Sequence, residues 1–323
     1  MAFSISKLLF DLWCTISLVG IWPRFIEPNL FHKKKLKITL KTLPKGFETL
    51  KIIQFSDLHF GKNTSCNFLK RLSSKILKEK ADLIVFTGDF LCFSQLPNKE
   101  ILKEFLNSLK APLGSFAVLG NHDYERFVSI NEKGEYDVIE KVSPALLKGF
   151  KRLFSNIKLK HTTTEKAKKV SCHQELDNLL KETPFQLLHN SQATVKIEDT
   201  FLNIVGLGEY CLGKCEPEKA FQNLNANCPT LVLAHNPDSI SLLKNYPGDL
   251  ILCGHTHGGQ INLPFLRKKF TLSENQGLIR GLKAVDNKKI YINKGVGSVM
   301  KFRWFSMPEI LSLTFKGEEN ETS

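Results

Sequence analysis

From about Lys45 onward, short apolar runs alternate with longer amphipathic stretches. Lys51–Phe55 reads as a buried strand that stops at Ser56-Asp57. Residues 67–80 then set Phe68, Leu69, Leu72, Ile76 and Leu77 at helical spacing. Leu83–Phe86 predicts a second strand, Lys99–Leu109 a second helix and Phe116–Leu119 a third strand. Strands alternating with helices point to an α/β fold. The second half is richer in strands, with apolar runs at Phe201–Val205, Leu231–Ala234, Leu250–Cys253, Ile290–Ile292 and Ile310–Phe315.

Two regions break the pattern. The N-terminus is apolar from Leu8 to Trp22, interrupted only by Asp11, and can be extended through Phe25, Ile26, Leu30 and Phe31 despite Pro23, Arg24 and Pro28. A helical crossing needs about 20 apolar residues, so the uninterrupted run is short. No small-residue cleavage site follows, and Lys33, Lys34, Lys35, Lys37 and Lys41 come next. Basic residues beside an apolar segment favour the cytoplasmic side and an anionic headgroup layer. Residues 1–45 are therefore expected to form an uncleaved membrane-associating segment, with a terminal helix packed on the body as the alternative. The second break is an insertion at about 126–170, rich in Lys and without strand alternation. Leu146, Leu147, Phe150, Leu153, Phe154 and Ile157 share one helical face, with Lys148, Lys151, Arg152 and Lys158 around the rest. A basic amphipathic helix of this kind suits either a membrane interface or a solvated surface position.

Charge changes the picture more than overall composition does. The formal net charge of +13 favours phosphate-rich partners, whether nucleic acid, anionic lipid or a phosphorylated substrate. The basic residues are not interleaved with aromatics in the manner of a base-stacking platform, so a nucleic-acid partner is not expected. The eight cysteines show no disulfide framework, which fits a reducing compartment, and Cys211 with Cys215 lacks the second pair of a zinc site.

The candidate chemistry lies in five polar blocks, each following an apolar strand: Asp57-Leu58-His59, Gly88-Asp89, Gly120-Asn121-His122-Asp123, Ala234-His235-Asn236 and Gly254-His255-Thr256-His257-Gly258. Ligands of open α/β sheets bind at the carboxyl ends of strands, so these side chains can converge. Imidazole with carboxylate suits divalent manganese, iron or zinc, and the residue types leave the choice among them open, with manganese the expectation. A pair of such ions shares one oxygen ligand, a role expected of Asp89. His122 is expected to protonate the leaving oxygen, with Asp123 orienting its ring. A metal-free interaction scaffold would tolerate broken blocks, and here every block is intact.

At these blocks the sequence resembles the calcineurin-like metallophosphoesterase superfamily, whose pattern appears in order as DLH, GD, GNHD, LAHNPD and GHTHGGQ. The resemblance implies a four-layer α/β/β/α sandwich with two mixed sheets over residues 46–318. It implies one divalent metal on Asp57, His59, Asp89 and His257, and a second on Asp89, Asn121, His235 and His255. The tail YINKGVGSVMKFRWFSMPEI is similar to the membrane-associated bacterial branch. Within it the chain most resembles the pyrophosphatases that hydrolyse UDP-2,3-diacylglucosamine in lipid A synthesis. That likeness implies a lipid-linked nucleotide substrate, an anionic membrane surface as partner and a place on the cytoplasmic face of the inner membrane. One departure is Cys92, where many relatives have aspartate.

Overall fold

Strands that are apolar on both faces need cover on both sides, and the strands here receive it. In the computed structural model, which describes residues 5–40, 43–141, 157, 159–263 and 273–318, two six-stranded sheets pack face to face. The first is built from β1 (His32–Leu40), β2 (Ile52–Phe55), β3 (Leu83–Thr87), β4 (Ser115–Val118), β7 (Phe185–Leu187) and β14 (Glu309–Gly317). Its order is β1-β14-β2-β3-β4-β7, with β14 antiparallel to β2 and the other pairs parallel. The second contains β8 (Ser191–Ile197), β9 (Thr200–Gly206), β10 (Thr230–Leu233), β11 (Leu250–Cys253), β12 (Gly281–Val285) and β13 (Lys288–Ile292). It runs β12-β13-β11-β10-β9-β8 and is antiparallel only at its two edges.

Leu83 and Val85 of β3 face the other sheet, packing in one cluster with Leu231, Leu233, Leu250 and Leu252. Ile84 and Phe86 point the other way, towards a layer of helices. Counting α1 as Cys66–Leu77, α2 as Lys99–Asn107 and α3 as Gln174–Lys181, these helices supply Leu72, Ile76, Leu102, Leu106, Leu176 and Leu179 to that outer layer. Side chains Ser65, Asn98 and His173 cap their N-termini. The fourth layer is thin, with Phe221, Ile240 and Leu243 from short helical turns covering Val232 and Ile251. This is the calcineurin-like α/β sandwich.

The strand β1 extends the domain beyond its expected start at 46. Leu36, Ile38 and Leu40 turn inward and the lysines outward, so Lys33, Lys34, Lys35 and Lys37 lie on an edge strand paired to β14. Between 126 and 170 the structure has a hairpin, β5 (Val128–Ile130) and β6 (Tyr136–Val138), where no strand was expected. Its strands are too short to alternate visibly, and Asn131 and Gly134 make the turn between them. The amphipathic helix expected over Leu146–Lys158 lies outside the described residues, Ile157 excepted.

The N-terminal chain is helical from Ile5 to Ile26, with a π-helical second half that contains Pro23. By length and composition, Ser6–Asn29 could cross a membrane. Its apolar side chains are exposed, and only Pro23 and Glu27 are buried between residues 6 and 30. The body grips the helix at that foot. Glu27 accepts from the Phe305 and Ser306 amides and from Trp22 Nε1, and the Pro23 carbonyl accepts from Arg303 N.

Candidate metal centre

Every residue expected to hold metal lies just past the carboxyl end of a strand. Asp57 and His59 follow β2, Asp89 follows β3, Asn121 and His122 follow β4, His235 follows β10, and His255 and His257 follow β11. Asp57, His59 and His257 converge on one another, and so do Asp89, His235 and His255; within each group the ligand atoms lie within 4.8 Å. A third grouping, His59 with Asp89 and His122, joins the two. Asp89 Oδ2 lies 3.6 Å from His59 Nε2 and 3.2 Å from His235 Nε2, so one oxygen faces both clusters. Its other oxygen accepts from the His122 amide at 3.0 Å. Within the clusters, His59 Nε2 is 3.0 Å from His257 Nε2, and His255 Nδ1 is 3.2 Å from His235 Nε2.

The local backbone is bent to achieve this. Asp57, His59, Asp89, His255 and His257 all have positive φ, between 46° and 70°. Each such non-glycine residue costs of order 1 kcal/mol or more, strain that concentrates at functional sites. Two glycines make room: a Cβ on Gly120 would lie 2.2 Å from Asp89 Oδ1, and one on Gly88 would lie 2.5 Å from His235 Nδ1.

Three further features fit divalent metals. His235 Nδ1 lies 2.8 Å from the Thr87 carbonyl and His59 Nδ1 lies 3.3 Å from that of Leu91. Such bonds put the proton on Nδ1 and leave Nε2 as the ligand atom. The Asn121 amide is pinned by its Nδ2 donating to the Val128 carbonyl at 2.7 Å, while its buried Oδ1 has no hydrogen-bond partner. An orphaned buried oxygen costs about 1–3 kcal/mol, which a cation would offset. Electrostatics favour an ionised Asp89 and neutral rings at His59 and His257, while, against the pull of burial, Asp89 raises its partner His235. Burial would raise the Asp89 carboxyl, but the His235, His122 and His59 rings hold it well below its ordinary value. Burial lowers His59 to about 4 and drives His257 well below its usual range, with the neighbouring His59 and Arg303 adding to the latter, so both rings offer lone pairs at neutral pH.

One expected role is corrected. Asp123 does not orient His122: its carboxylate accepts from the backbone amides of Phe90, Leu91 and Gly120, at 2.9–3.1 Å, and so ties the loop after β3 to the loop after β4. The Phe93 amide orients the ring instead, donating to His122 Nδ1 at 2.9 Å. With Nδ1 an acceptor, the neutral ring carries its hydrogen on Nε2. Phe127 packs against that ring at 4.3 Å between centroids. Cys92, the departure from the family pattern, is a thiol that burial and Asp89 push up to about 11.

Two residues had no signal in the sequence. Arg303 is fully buried, donates to the carbonyls of Lys294, Gly295, Gly297 and Ser306, and places Nη2 3.2 Å from His257 Nδ1. Glu209, after β9, is buried and raised by that burial, with Oε1 bonded to the Cys211 amide and Oε2 unpartnered among the described residues. Neither belongs to a motif; Arg303 sits in a tail readable only as a branch marker.

The calcineurin-like phosphoesterase family matches residues 50–259 of this chain. The chain belongs to that family. This phosphoesterase is 40% identical over 306 residues to UDP-2,3-diacylglucosamine pyrophosphatase LpxG of Chlamydia muridarum, covering 91% of this chain and 92% of that protein. It is 39% identical, with the same coverage, to LpxG of Chlamydia trachomatis. Phosphodiesterase YaeI of Escherichia coli is 28% identical over 289 residues, covering 90% of each. The calcineurin-like phosphoesterase is thus a metal-dependent phosphoester or pyrophosphate hydrolase, and its His and Asp clusters form a dinuclear divalent-metal site.

Proposed function

We propose that this phosphoesterase hydrolyses the pyrophosphate bond of UDP-2,3-diacylglucosamine, yielding UMP and 2,3-diacylglucosamine 1-phosphate for lipid A synthesis. The observation that carries this reading is the likeness to two LpxG proteins over nine-tenths of both chains. The exposed apolar helix at the N-terminus and the net charge of +13 support a working place on an anionic membrane surface, taken to be the cytoplasmic face of the inner membrane. No nucleic acid enters the scheme.

In this reading Asp57, His59, Asp89 and His257 would hold one metal, and Asp89, Asn121, His235 and His255 the other, manganese being preferred over iron or zinc. When bound, such a pair supplies a nucleophile at neutral pH and Lewis acidity at the phosphoryl oxygens. The remaining work falls to the chain. Asp89 turns one oxygen to both His clusters, while its second is fixed by the His122 amide. His122, held by Phe93 N and walled by Phe127, presents Nε2–H to the leaving oxygen. Arg303 acts further out, anchoring the 294–306 loop against His257.

Purified protein incubated with manganese and UDP-2,3-diacylglucosamine is expected to release UMP. Cleavage of bis(4-nitrophenyl) phosphate without UMP release would remove the lipid A reading and keep the hydrolase. It would favour a broader membrane phosphodiesterase, the reading supported by the likeness to YaeI.

A further inference from the structure

A cavity of about 260 Å³ adjoins the metal centre, between the foot of the N-terminal helix and the body of the domain. His59 lines it on the metal side, and Arg24 and Lys301 line it from two different parts of the chain. Arg24 Nη1 donates to the Met300 carbonyl at 2.8 Å, and Lys301 Nζ donates to the Asn63 carbonyl. Among the described residues neither cation pairs with a carboxylate. Burial and the positive charge of Arg24 both lower the Lys301 ammonium. Two like charges held at one cavity repel each other, and an anion between them relieves that repulsion.

The rest of the wall suits an anion too. Thr64 Oγ1 accepts from the Gly61 amide and Ser298 Oγ accepts from Gln260 Nε2, both at 2.9 Å. With those acceptor roles filled, each hydroxyl hydrogen is free to donate into the cavity. Arg24 also closes the apolar N-terminal stretch, the position at which a basic side chain meets the phosphate layer of a bilayer.

We propose that this cavity is the subsite for the second, non-attacked phosphate of a lipid-linked diphosphate, held by Arg24 and Lys301 with hydrogen bonds from Thr64 and Ser298. The inference rests on the reading given under Proposed function. A diphosphate carries its second phosphate one bridging oxygen from the first. With the first at the metal centre, the second needs cations of its own, and His59 and this basic pair share one wall-to-wall space. The helix foot is thereby part of substrate recognition and not only an attachment.

The test uses full-length protein in neutral detergent with manganese, comparing wild type with R24Q, K301Q, the double variant and a control, K283Q, on the remote edge strand β12. The readout is kcat/KM for UDP-2,3-diacylglucosamine divided by kcat/KM for bis(4-nitrophenyl) phosphate. Loss of a charge-assisted phosphate contact is expected to lower this ratio about 10-fold in each single variant and about 100-fold in the double, mainly through KM. K283Q should leave it unchanged. A double variant whose ratio stays within about twofold of wild type overturns the proposal. Melting curves identify any variant that fails to fold; R24K, which keeps the charge, then replaces R24Q and should lose less than K301Q.

If wild-type protein releases no UMP, the function reading has failed, and the subsite is tested separately. UDP-glucose should inhibit hydrolysis of bis(4-nitrophenyl) phosphate better than UMP does, and the double variant should lose that advantage. Equal inhibition by both in wild type overturns the subsite. A vesicle arm separates substrate phosphate from bulk lipid phosphate, using phosphatidylethanolamine with roughly 20% phosphatidylglycerol. Unchanged sedimentation of the double variant supports the subsite. Weakened sedimentation with an unchanged ratio overturns it and gives the pair to the bilayer.

Discussion

The metal centre and the N-terminal helix are held in opposite ways. At the centre, seven side chains from five loops are fixed by strand ends, backbone bonds and glycine gaps; five are buried, and His255 and His257 are partly so. The helix exposes its apolar side chains over most of its length and is tied to the body at its foot, through Pro23, Arg24, Glu27 and Asn29. Chemistry that depends on distances of a few tenths of an ångström needs an over-determined frame. A segment that meets lipid needs apolar area and one firm joint. The loop from Lys294 to Ser306 belongs to both regions, because Arg303 lies against His257 on one side and Glu27 against Ser306 on the other.

The contrast can be broken at its strongest point first. Asp89→Asn keeps the shape of the side chain but removes the charge facing both clusters. Turnover of bis(4-nitrophenyl) phosphate with manganese should fall on the order of 10³-fold, and metal content measured by mass spectrometry should fall with it. His122→Ala should cost on the order of 10²-fold in kcat while both metals stay bound. Loss of metal in that variant would mean that His122 is a ligand and not a donor to the leaving oxygen.

The joint is tested by Glu27→Ala, which strips the acceptor from the buried Ser306 amide and the partly buried Phe305 amide. Such unpaired groups cost about 2–3 kcal/mol together, seen as a lower melting temperature of the solubilised protein. An unchanged melting curve would show that the foot is not clamped as described. The smallest effect is expected from deleting residues 1–20, which leaves Pro23, Arg24 and Glu27 in place. That protein should leave the membrane fraction and still hydrolyse the soluble phosphodiester. Deleting 1–31 removes the joint as well and should lower the melting temperature in addition. Sedimentation of the 1–20 deletion with membranes at high salt would defeat the idea that the helix is the anchor.

The two regions also differ in how far they could be read in advance. The ligand blocks were legible because metal chemistry allows few residue types, and because the apolar runs before them are strands whose ends must carry the site. Asp57, His59, Asp89, His235, His255 and His257 come together in two clusters where that reasoning put them, and Asn121 lies past the end of β4 as it expected. The role expected of Asp123 was not sound, since a neighbour in sequence is seldom a neighbour of a ring; the carboxylate serves three backbone amides instead. Strand β1 was hidden by its lysines, although Leu36, Ile38 and Leu40 alternate with them as an edge strand should. Arg303 and Glu27 were invisible. Their importance comes from burial and from partners distant in sequence, and neither property leaves a mark on the local pattern.

The central claim is that Asp89 sits between two divalent ions gripped by side chains from both sheets. A crystal structure of the protein grown with manganese, with anomalous scattering collected at the manganese edge, tests it directly. Two peaks about 3.5–4 Å apart on either side of Asp89 Oδ2 are expected, one against Asp57, His59 and His257 and the other against Asn121, His235 and His255. A single peak, or peaks away from Asp89 in fully active protein, would contradict it.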